Sequence, residues 1–364
     1  MPAIRLQLPG ERAPDRSYDI LVASGALAEI GPAVARREGR RAVLITDAAV
    51  AETHAAAAGR SLAEAGVEVL TIRVASGEPS KAVAEAARIW ERMADHAVDR
   101  KTHVVAVGGG VVGDLAGFVA ASFSRGLPFW QVPTTLVAMV DSAIGGKTGI
   151  NLEAGKNLVG AFWQPLGVFA DIGTLATLPD REFRSGLAEV VKYGMILDAG
   201  FFEWLERNTT PILARDAAAL TTIVERSAAL KAGVVEQDER EQTGLRAALN
   251  YGHTFGHAFE AASGYGTLLH GEAVSIGMHA AARLAESTGR IGPETVARQR
   301  ALLAAFGLPV AIPPMTATAD DLLSIMARDK KSVGGRLRFV LPSRIGHVAV
   351  VEDVSPQMVR AVLT

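Results

Sequence analysis

The chain contains no cysteine. Disulfides are therefore excluded, nothing points to an oxidising compartment, and a metal would have to be held by nitrogen and oxygen. A dominant charge is equally lacking: 37 Lys and Arg face 39 Asp and Glu, for a formal net charge of −2. So even a balance gives no general pull toward nucleic acid or an anionic membrane, and the basic residues that matter must act locally. Long apolar runs are missing too. Met1 to Asp19 is polar and mixed in charge, without the apolar core of a signal peptide. The one stretch long enough to span a membrane, Val104 to Phe123, is broken by Gly108, Gly109, Gly110, Gly113, Asp114 and Gly117, and suits strand, turn and helix better. No internal repeat or low-complexity linker occurs. The expectation is a soluble cytoplasmic protein with no nucleic-acid or membrane partner.

What is present is a chain of 364 residues, 49% of them apolar, enough for two domains with sizeable cores. The first half alternates strand and helix patterns. Strands are expected at Ala42 to Thr46, Val67 to Val74, His103 to Val107 and Pro128 to Val132. Helices are expected at Val50 to Ala65, through Trp90 and Met93, and at Gly113 to Ser124. Such alternation implies a mostly parallel sheet with helices on both faces. Beyond about Leu178, Ala- and Leu-rich periodic segments take over: Asp180 to Met195, Ala214 to Gln237, Gly244 to Ser263, Gly271 to Thr288 and Pro293 to Phe306. The expected division is an α/β domain over 1–177 and a helical domain over 178–364. The latter carries a late hairpin, Arg336 to Leu341 and His347 to Val351, around Pro342-Ser343-Arg344.

Gly108-Gly109-Gly110-Val111-Val112-Gly113-Asp114 contains a GxGxxG between an apolar strand and a helix. Glycines there let the backbone approach a pyrophosphate, and a helix N-terminus supplies amide donors. The spacing also suits a β–α turn that holds no ligand, because the usual fingerprint follows the first strand. Two further strand ends favour a ligand. Asp47 offers a carboxylate to a ribose hydroxyl, or a plain helix cap. Ser76-Gly77-Glu78-Pro79-Ser80-Lys81 offers an acid and a base. Gly145-Gly146-Lys147-Thr148 is not a P-loop, since the required first glycine falls on Asp141.

Arg246, Asn250, His253 and His257 stand at helical spacing and are expected to share one face of one helix. A cation, an amide and two imidazoles in apolar surroundings need a ligand to satisfy them. An open metal site takes three protein donors. His253, His270 and Glu189 are the candidates, with Lys192 one helical turn from Glu189. His54, His96, His103 and His347 read as surface or turn residues, and His279 as unremarkable. Lys147, Lys156, Asn157, Lys192, Lys231, Arg246, Lys330, Lys331 and Arg125 lie in Gly-rich or apolar context, as a phosphate-binding set would.

These segments, with Gln131-Val132-Pro133-Thr134-Thr135-Leu136, Asp141-Ser142, Gly155-Lys156-Asn157, Gly186 through Gly194 and Leu249 through His257, resemble the 3-dehydroquinate synthase family over about Ser17 to Val351. The resemblance implies a Rossmann-like parallel-sheet domain, an all-α C-terminal domain, and a site between them. It implies NAD, one divalent metal (zinc or cobalt) and a homodimer in which Arg125 reaches the neighbouring phosphate site. Glu189, His253 and His270 match the metal ligands. Asp47, Glu78, Lys81, Gly110, Val111, Val112, Gly113, Asp114, Thr134, Thr135, Lys147, Lys156, Thr174, Leu175, Ala176 and Thr177 match the dinucleotide contacts. Asp141, Lys147, Asn157, Lys192, Lys231, Arg246, Asn250, His257 and Lys331 match the substrate contacts, with His257 the candidate for moving a hydroxyl proton.

The implied reaction of this shikimate-pathway family turns 3-deoxy-D-arabino-heptulosonate 7-phosphate into 3-dehydroquinate and phosphate. It proceeds by transient oxidation, phosphate loss, re-reduction and an intramolecular aldol closure. Two relatives share the architecture: glycerol-type NAD dehydrogenases with a metal, and sugar phosphate cyclases of secondary metabolism. The basic set argues against the first, and the substrate-contact pattern against the second. One departure stands out. The run from Lys231 to Arg246 is one residue longer than usual, which leaves the place of Glu241 open.

Overall fold

The computed structural model describes residues 15–264, 267–329 and 337–363. Lys330, Lys331 and Arg336 lie outside the described residues. The first half contains β1 (Asp19–Ala23), β2 (Arg41–Asp47), β3 (Glu68–Val74), β4 (His103–Gly108), β5 (Phe129–Pro133), β6 (Lys147–Leu152), β7 (Gly155–Phe162) and β8 (Gly167–Asp171). Six of these form one parallel sheet in the order β1-β8-β5-β4-β2-β3. Its helices are α1 (Ile30–Arg36), α2 (Ala56–Glu64), α3 (Val83–Asp95) and α4 (Gly110–Ser122).

Strand β4, HVVAVG, is buried at every residue, so it needs cover on both faces. Alternate residues point to opposite sides. Val104 and Ala106 join Val43 and Ile45 under Ile89, Met93, Leu115 and Val119 of α3 and α4. Val105 and Val107 join Leu44 under Ile30, Val34, Ala58 and Leu62 of α1 and α2. The strand order reverses between β2 and β4. That leaves Asp47 and Gly108 beside the crevice where open α/β sheets take ligands.

Expected and observed elements differ in detail. The helix expected from Val50 opens as a wide π turn, Ala51–Ala55, before α2. α4 begins at Gly110, three residues earlier than expected. β1, β8 and the antiparallel hairpin β6–β7 were not expected at all. In that hairpin Gly149 pairs with Gly160; a Cβ on Gly160 would stand 2.2 Å from the Thr148 carbonyl oxygen, so glycine is required for the close approach.

The second half contains α5 (Asp180–Leu197), α6 (Ala199–Arg207), α7 (Thr209–Leu213), α8 (Ala217–Gln237), α9 (His253–Ala262), α10 (His270–Ser287), α11 (Pro293–Ala305), α12 (Ala319–Asp329), the hairpin β9 (Phe339–Arg344) and β10 (His347–Val351), and α13 (Pro356–Leu363). Leu187, Val191, Phe255, Phe259, Val274 and Met278 build its core, which continues into Leu136, Val140 and Ala170 of the sheet half. The hairpin turn is Ile345-Gly346, with Gly346 at φ +83°, and not Pro342-Ser343-Arg344, which lie within β9.

The largest correction concerns Gly244 to Ser263. It is not one helix. A 3-10 turn, Leu245–Asn250, is followed by Tyr251 and by Gly252 at φ +79°, and α9 starts at His253. Arg246, Asn250, His253 and His257 therefore do not share one helical face. Gly252 makes the break possible: a Cβ there would meet Met278 at 2.6 Å, and its φ suits glycine. No helix among the described residues is long and apolar enough to cross a membrane.

Candidate active site

Three helices deliver the metal candidates. α5 supplies Glu189, α9 opens on His253 and α10 opens on His270. One donor atom from each lies within 4.8 Å of the others. Glu189 Oε1 is 3.6 Å from His253 Nε2 and 3.4 Å from His270 Nε2. Ligands at ~2.1 Å in a tetrahedron stand about 3.4 Å apart, so the spacing suits a zinc-sized cation. Glu189 is 0% exposed, forms an ion pair with Lys192, and neither of its oxygens completes a hydrogen bond of normal geometry. Its Oε2 meets Lys192, while its Oε1 faces two imidazole nitrogens, a donor set that a divalent cation would complete. The three residues fit a divalent metal.

Electrostatics agree with the geometry. Burial raises the Glu189 pKa, but Lys192, His270 and His253 outweigh it and hold the carboxyl at about 2. Burial, reinforced by Lys192, pushes His253 down to about 3. His270 goes the other way, to about 10: burial opposes its charge, and Glu189 and Glu260 overcome that. His253 Nδ1 faces the Tyr251 carbonyl oxygen at 3.1 Å, which leaves its Nε2 lone pair for the site. The His257 ring stands edge-on to His253, with centroids 5.5 Å apart, and is exposed.

A second cluster joins the two halves. Buried Lys231 of α8 donates to the Asp141 carboxylate and carbonyl, each at 2.6 Å, and Tyr193 Oη donates to the same carboxylate at 2.9 Å. Burial would raise the Asp141 pKa; Lys231 and Lys192 instead hold it well below the usual carboxylate range.

A third gathers the anion-binding candidates. Arg246 is 2% exposed, and its Nη1 donates to the Glu239 carbonyl at 2.7 Å. Glu241, at φ +58°, pairs with Lys147 and stands 3.6 Å from Arg246 Nε. The loop before Arg246 thus places a carboxylate on two cations of the candidate anion-binding set. Asn157, at φ +57° in β7, and Asn250, at the end of the 3-10 turn, are both exposed, and among the described residues neither forms a hydrogen bond or ion pair with this cluster. Arg125 is exposed in a left-handed turn beside Trp163. Lys331 lies outside the described residues.

Apart from Lys147 and Lys156, which lie in the separate β6–β7 hairpin, the dinucleotide candidates line the C-terminal edge of the sheet. α4 begins at Gly110 with no side-chain cap, so its first amides are available, and a Cβ on Gly110 would meet Ser142 Oγ at 2.8 Å. Val111, Val112 and Gly113 form its first turn. Thr134 Oγ1 is buried without a partner, next to Thr135. Lys81 donates to Asp114 at 2.5 Å; burial raises the Asp114 pKa against the pull of Lys81. Asp47 Oδ1 accepts the amides of Ala49 and Val50, which is the capping alternative, and its other oxygen is not used in that turn. Thr174, Leu175, Ala176 and Thr177 form a 3-10 turn at the end of β8, where Thr177 Oγ1 meets His54 Nε2 at 2.7 Å. These glycine, amide and hydroxyl groups fit a dinucleotide.

Four polar residues were missed. Asn151 donates to Glu78 at 2.7 Å and accepts from the Asn157 amide at 2.9 Å. Tyr193 grips Asp141, and Tyr18 Oη accepts from the Gly145 amide at 3.0 Å. Glu260 stands behind His270, with Lys156 3.5 Å from its other oxygen. A signal for Glu260 existed: it follows His253 by seven residues and His257 by three, on one helical face. His103 is corrected as well. It is not a surface residue but is 3% exposed and accepts from Trp130 Nε1 at 2.8 Å.

Known proteins resemble this chain over nearly its whole length. Residues 71–185 match the family model for the 3-dehydroquinate synthase N-terminal domain, and residues 186–332 match that for the C-terminal domain. The chain is 50% identical over 351 residues to the 3-dehydroquinate synthase of Desulforamulus reducens, spanning 96% of this chain and 97% of that one. Among solved structures it superposes on the 2-epi-5-epi-valiolone synthase ValA of Streptomyces hygroscopicus subsp. jinggangensis with NAD+ and Zn2+ bound, at TM-score 0.89 and 30% identity, over 99% and 98% of the two chains. A 2-deoxy-scyllo-inosose synthase with carbaglucose-6-phosphate, NAD+ and Co2+ superposes at TM-score 0.86 and 28% identity, over 94% and 95%. By both family-model matches and by identity over nearly its whole length, this chain belongs to the 3-dehydroquinate synthase family.

Proposed function

We propose that this chain is an NAD- and metal-dependent carbon–oxygen lyase that converts 3-deoxy-D-arabino-heptulosonate 7-phosphate to 3-dehydroquinate and phosphate. The observation that carries the reading is the meeting of Glu189, His253 and His270 beside a buried basic set. The sheet half, 1–177, holds NAD along Asp47, Glu78, Lys81, Gly110 to Asp114, Thr134, Thr135, Lys147, Lys156 and Thr174 to Thr177. The helical half, 178–364, holds zinc or cobalt and most of the substrate. When bound, these two groups supply a hydride acceptor that is restored within each turnover and Lewis acidity at the substrate hydroxyls.

The chain's own residues do the rest. His257, exposed and edge-on to His253, takes the hydroxyl proton. Lys192 and Lys231, held at Glu189 and Asp141, offer N–H donors to substrate oxygens on which charge develops. Lys147, Asn157, Arg246, Asn250 and Lys331 hold the phosphate, joined by the partner subunit's Arg125 in a homodimer. Arg246 offers paired donors and Lys147 a point charge. Elimination of phosphate then needs no side-chain base beyond the departing phosphate oxygens. Ring closure follows from holding the opened chain in one orientation. The balanced composition and missing cysteine support a cytoplasmic setting.

The test is direct. Purified protein receives zinc or cobalt, the heptulosonate phosphate and catalytic NAD, and inorganic phosphate and 340 nm absorbance are followed together. The reading requires stoichiometric phosphate with no accumulating NADH. Steady growth of NADH would instead identify a glycerol-type dehydrogenase.

A further inference from the structure

We propose that Glu260 is a positioning residue for the cation site: its carboxylate fixes the His270 ring with Nε2 toward Glu189, and ties that ring to Lys156 in the hairpin of the sheet half. The proposal rests on the metal reading above and extends it to the group behind the ligand.

A neutral imidazole carries one N–H and one lone pair. The nitrogen that binds a cation needs the lone pair, so the other nitrogen carries the proton and needs an acceptor. For His253 that acceptor is the Tyr251 carbonyl, 3.1 Å from Nδ1. For His270, Nε2 faces Glu189 and Nδ1 faces Glu260 Oε2 at 3.8 Å. That distance is longer than a hydrogen bond, so Glu260 acts on the neutral ring through the pull of its charge on the Nδ1–H dipole, which sets the ring's direction.

Glu260 is 8% exposed, and a carboxylate so buried is costly unless paired. Its oxygens divide between two groups: Oε2 toward His270, and Oε1 3.5 Å from Lys156 Nζ. His270 comes from α10, Glu260 from α9 and Lys156 from β7. One carboxylate thereby links the cation site to the strand hairpin on the nucleotide side. No other carboxylate among the described residues forms an ion pair with His270 through Nδ1.

The experiment strips metal with a chelator and titrates Zn2+ and Co2+ into wild type, Glu260→Gln and Glu260→Asp, reading the dissociation constant and the cobalt visible spectrum. Loss of such a supporting contact typically weakens metal binding about 10–100-fold. Glu260→Gln is expected in that range, with an altered cobalt spectrum and a metal-free melting temperature within about 3 °C of wild type. Glu260→Asp, which keeps the charge but shortens its reach, should fall between. Wild-type affinity and spectrum in Glu260→Gln would overturn the proposal; if that variant does not fold, wild-type affinity in Glu260→Asp does the same. A wild-type protein that takes up no metal would sink the cation reading itself, a different failure.

Discussion

His103 and His253 are both enclosed imidazoles whose pKa values burial depresses, to about 4 and about 3. By those two measures they are alike, yet their partners make them opposites. Trp130 donates to His103 Nδ1, so that lone pair is spent and the ring is closed into the base of the sheet. The Tyr251 carbonyl faces His253 Nδ1, so the proton stays there and the Nε2 lone pair points at Glu189 and His270. Burial and a depressed pKa do not mark a working histidine. What marks it is a lone pair turned toward donor atoms from other helices, here Glu189 and His270.

The sharpest way to break this comparison is to remove each ring. His253→Ala is expected to abolish stoichiometric metal and to lower kcat/KM on the order of 10^3-fold or more, the scale of several kcal/mol of lost charge stabilisation. Metal analysis after dialysis, alongside the phosphate-release assay, reads both. Retained metal with a normal rate would remove His253 from the site.

Arg246→Ala comes next. A buried charged partner of the phosphate is worth about 2–5 kcal/mol, so kcat/KM should fall about 10^2-fold while metal content stays intact. Glu241 adds a feature to watch, since it pairs with Lys147 and stands near Arg246. On the proposed reading phosphate takes the place of that carboxylate, so Glu241→Gln should tighten binding of inorganic phosphate by several-fold. Calorimetric titration with phosphate checks it, and weaker binding would place the subsite elsewhere.

A smaller effect is expected at Gly271. A Cβ there would stand 1.8 Å from the Ser185 carbonyl oxygen, so α10 must shift away from α5. That shift carries His270 away from Glu189. Gly271→Ala should weaken metal binding about 10-fold, the lower end for a disturbed ligand shell, with helical content preserved by circular dichroism. Unchanged affinity would mean the close helix contact does not set the ligand spacing.

The sequence makes the sheet largely legible because fully buried strands read as apolar runs. β2 and β4 fall within one residue of their expected ends. The hairpin β6–β7 was hidden by its own chemistry. It is half exposed and rich in glycine, so it shows neither alternation nor a continuous apolar run. In the site, His253 was legible from its polar company, but the helix drawn through it was wrong. The periodicity is real on paper, and Gly252 breaks the chain where periodicity cannot register a positive φ. Glu189 and His270 lie far from His253 in sequence, and spacing cannot bring separate helices together; the family resemblance supplied that step. Glu241 shows the converse. The sequence left the place of Glu241 open, and only coordinates put its carboxylate against Lys147 and near Arg246.

His103 gives the gentlest and cleanest test of the comparison. Its folded pKa of about 4 lies below the ordinary value of 6.5. Between those values the unfolded chain binds a proton that the native ring refuses, so stability rises with pH across this window and is lost as pH falls through it. The largest possible contribution is about 3 kcal/mol. His103→Asn keeps a carbonyl acceptor for the Trp130 indole but cannot titrate. At pH 7 its unfolding free energy should lie within about 1 kcal/mol of wild type, because the hydrogen bond survives. Between pH 6.5 and 4 its denaturation midpoint should fall less steeply than that of wild type, with metal content and turnover unchanged. An identical slope would show that His103 does not resist protonation in the fold. The same substitution at position 253 has the reverse logic: an amide replaces a nitrogen lone pair that the cation needs, so a change harmless at one ring is disabling at the other.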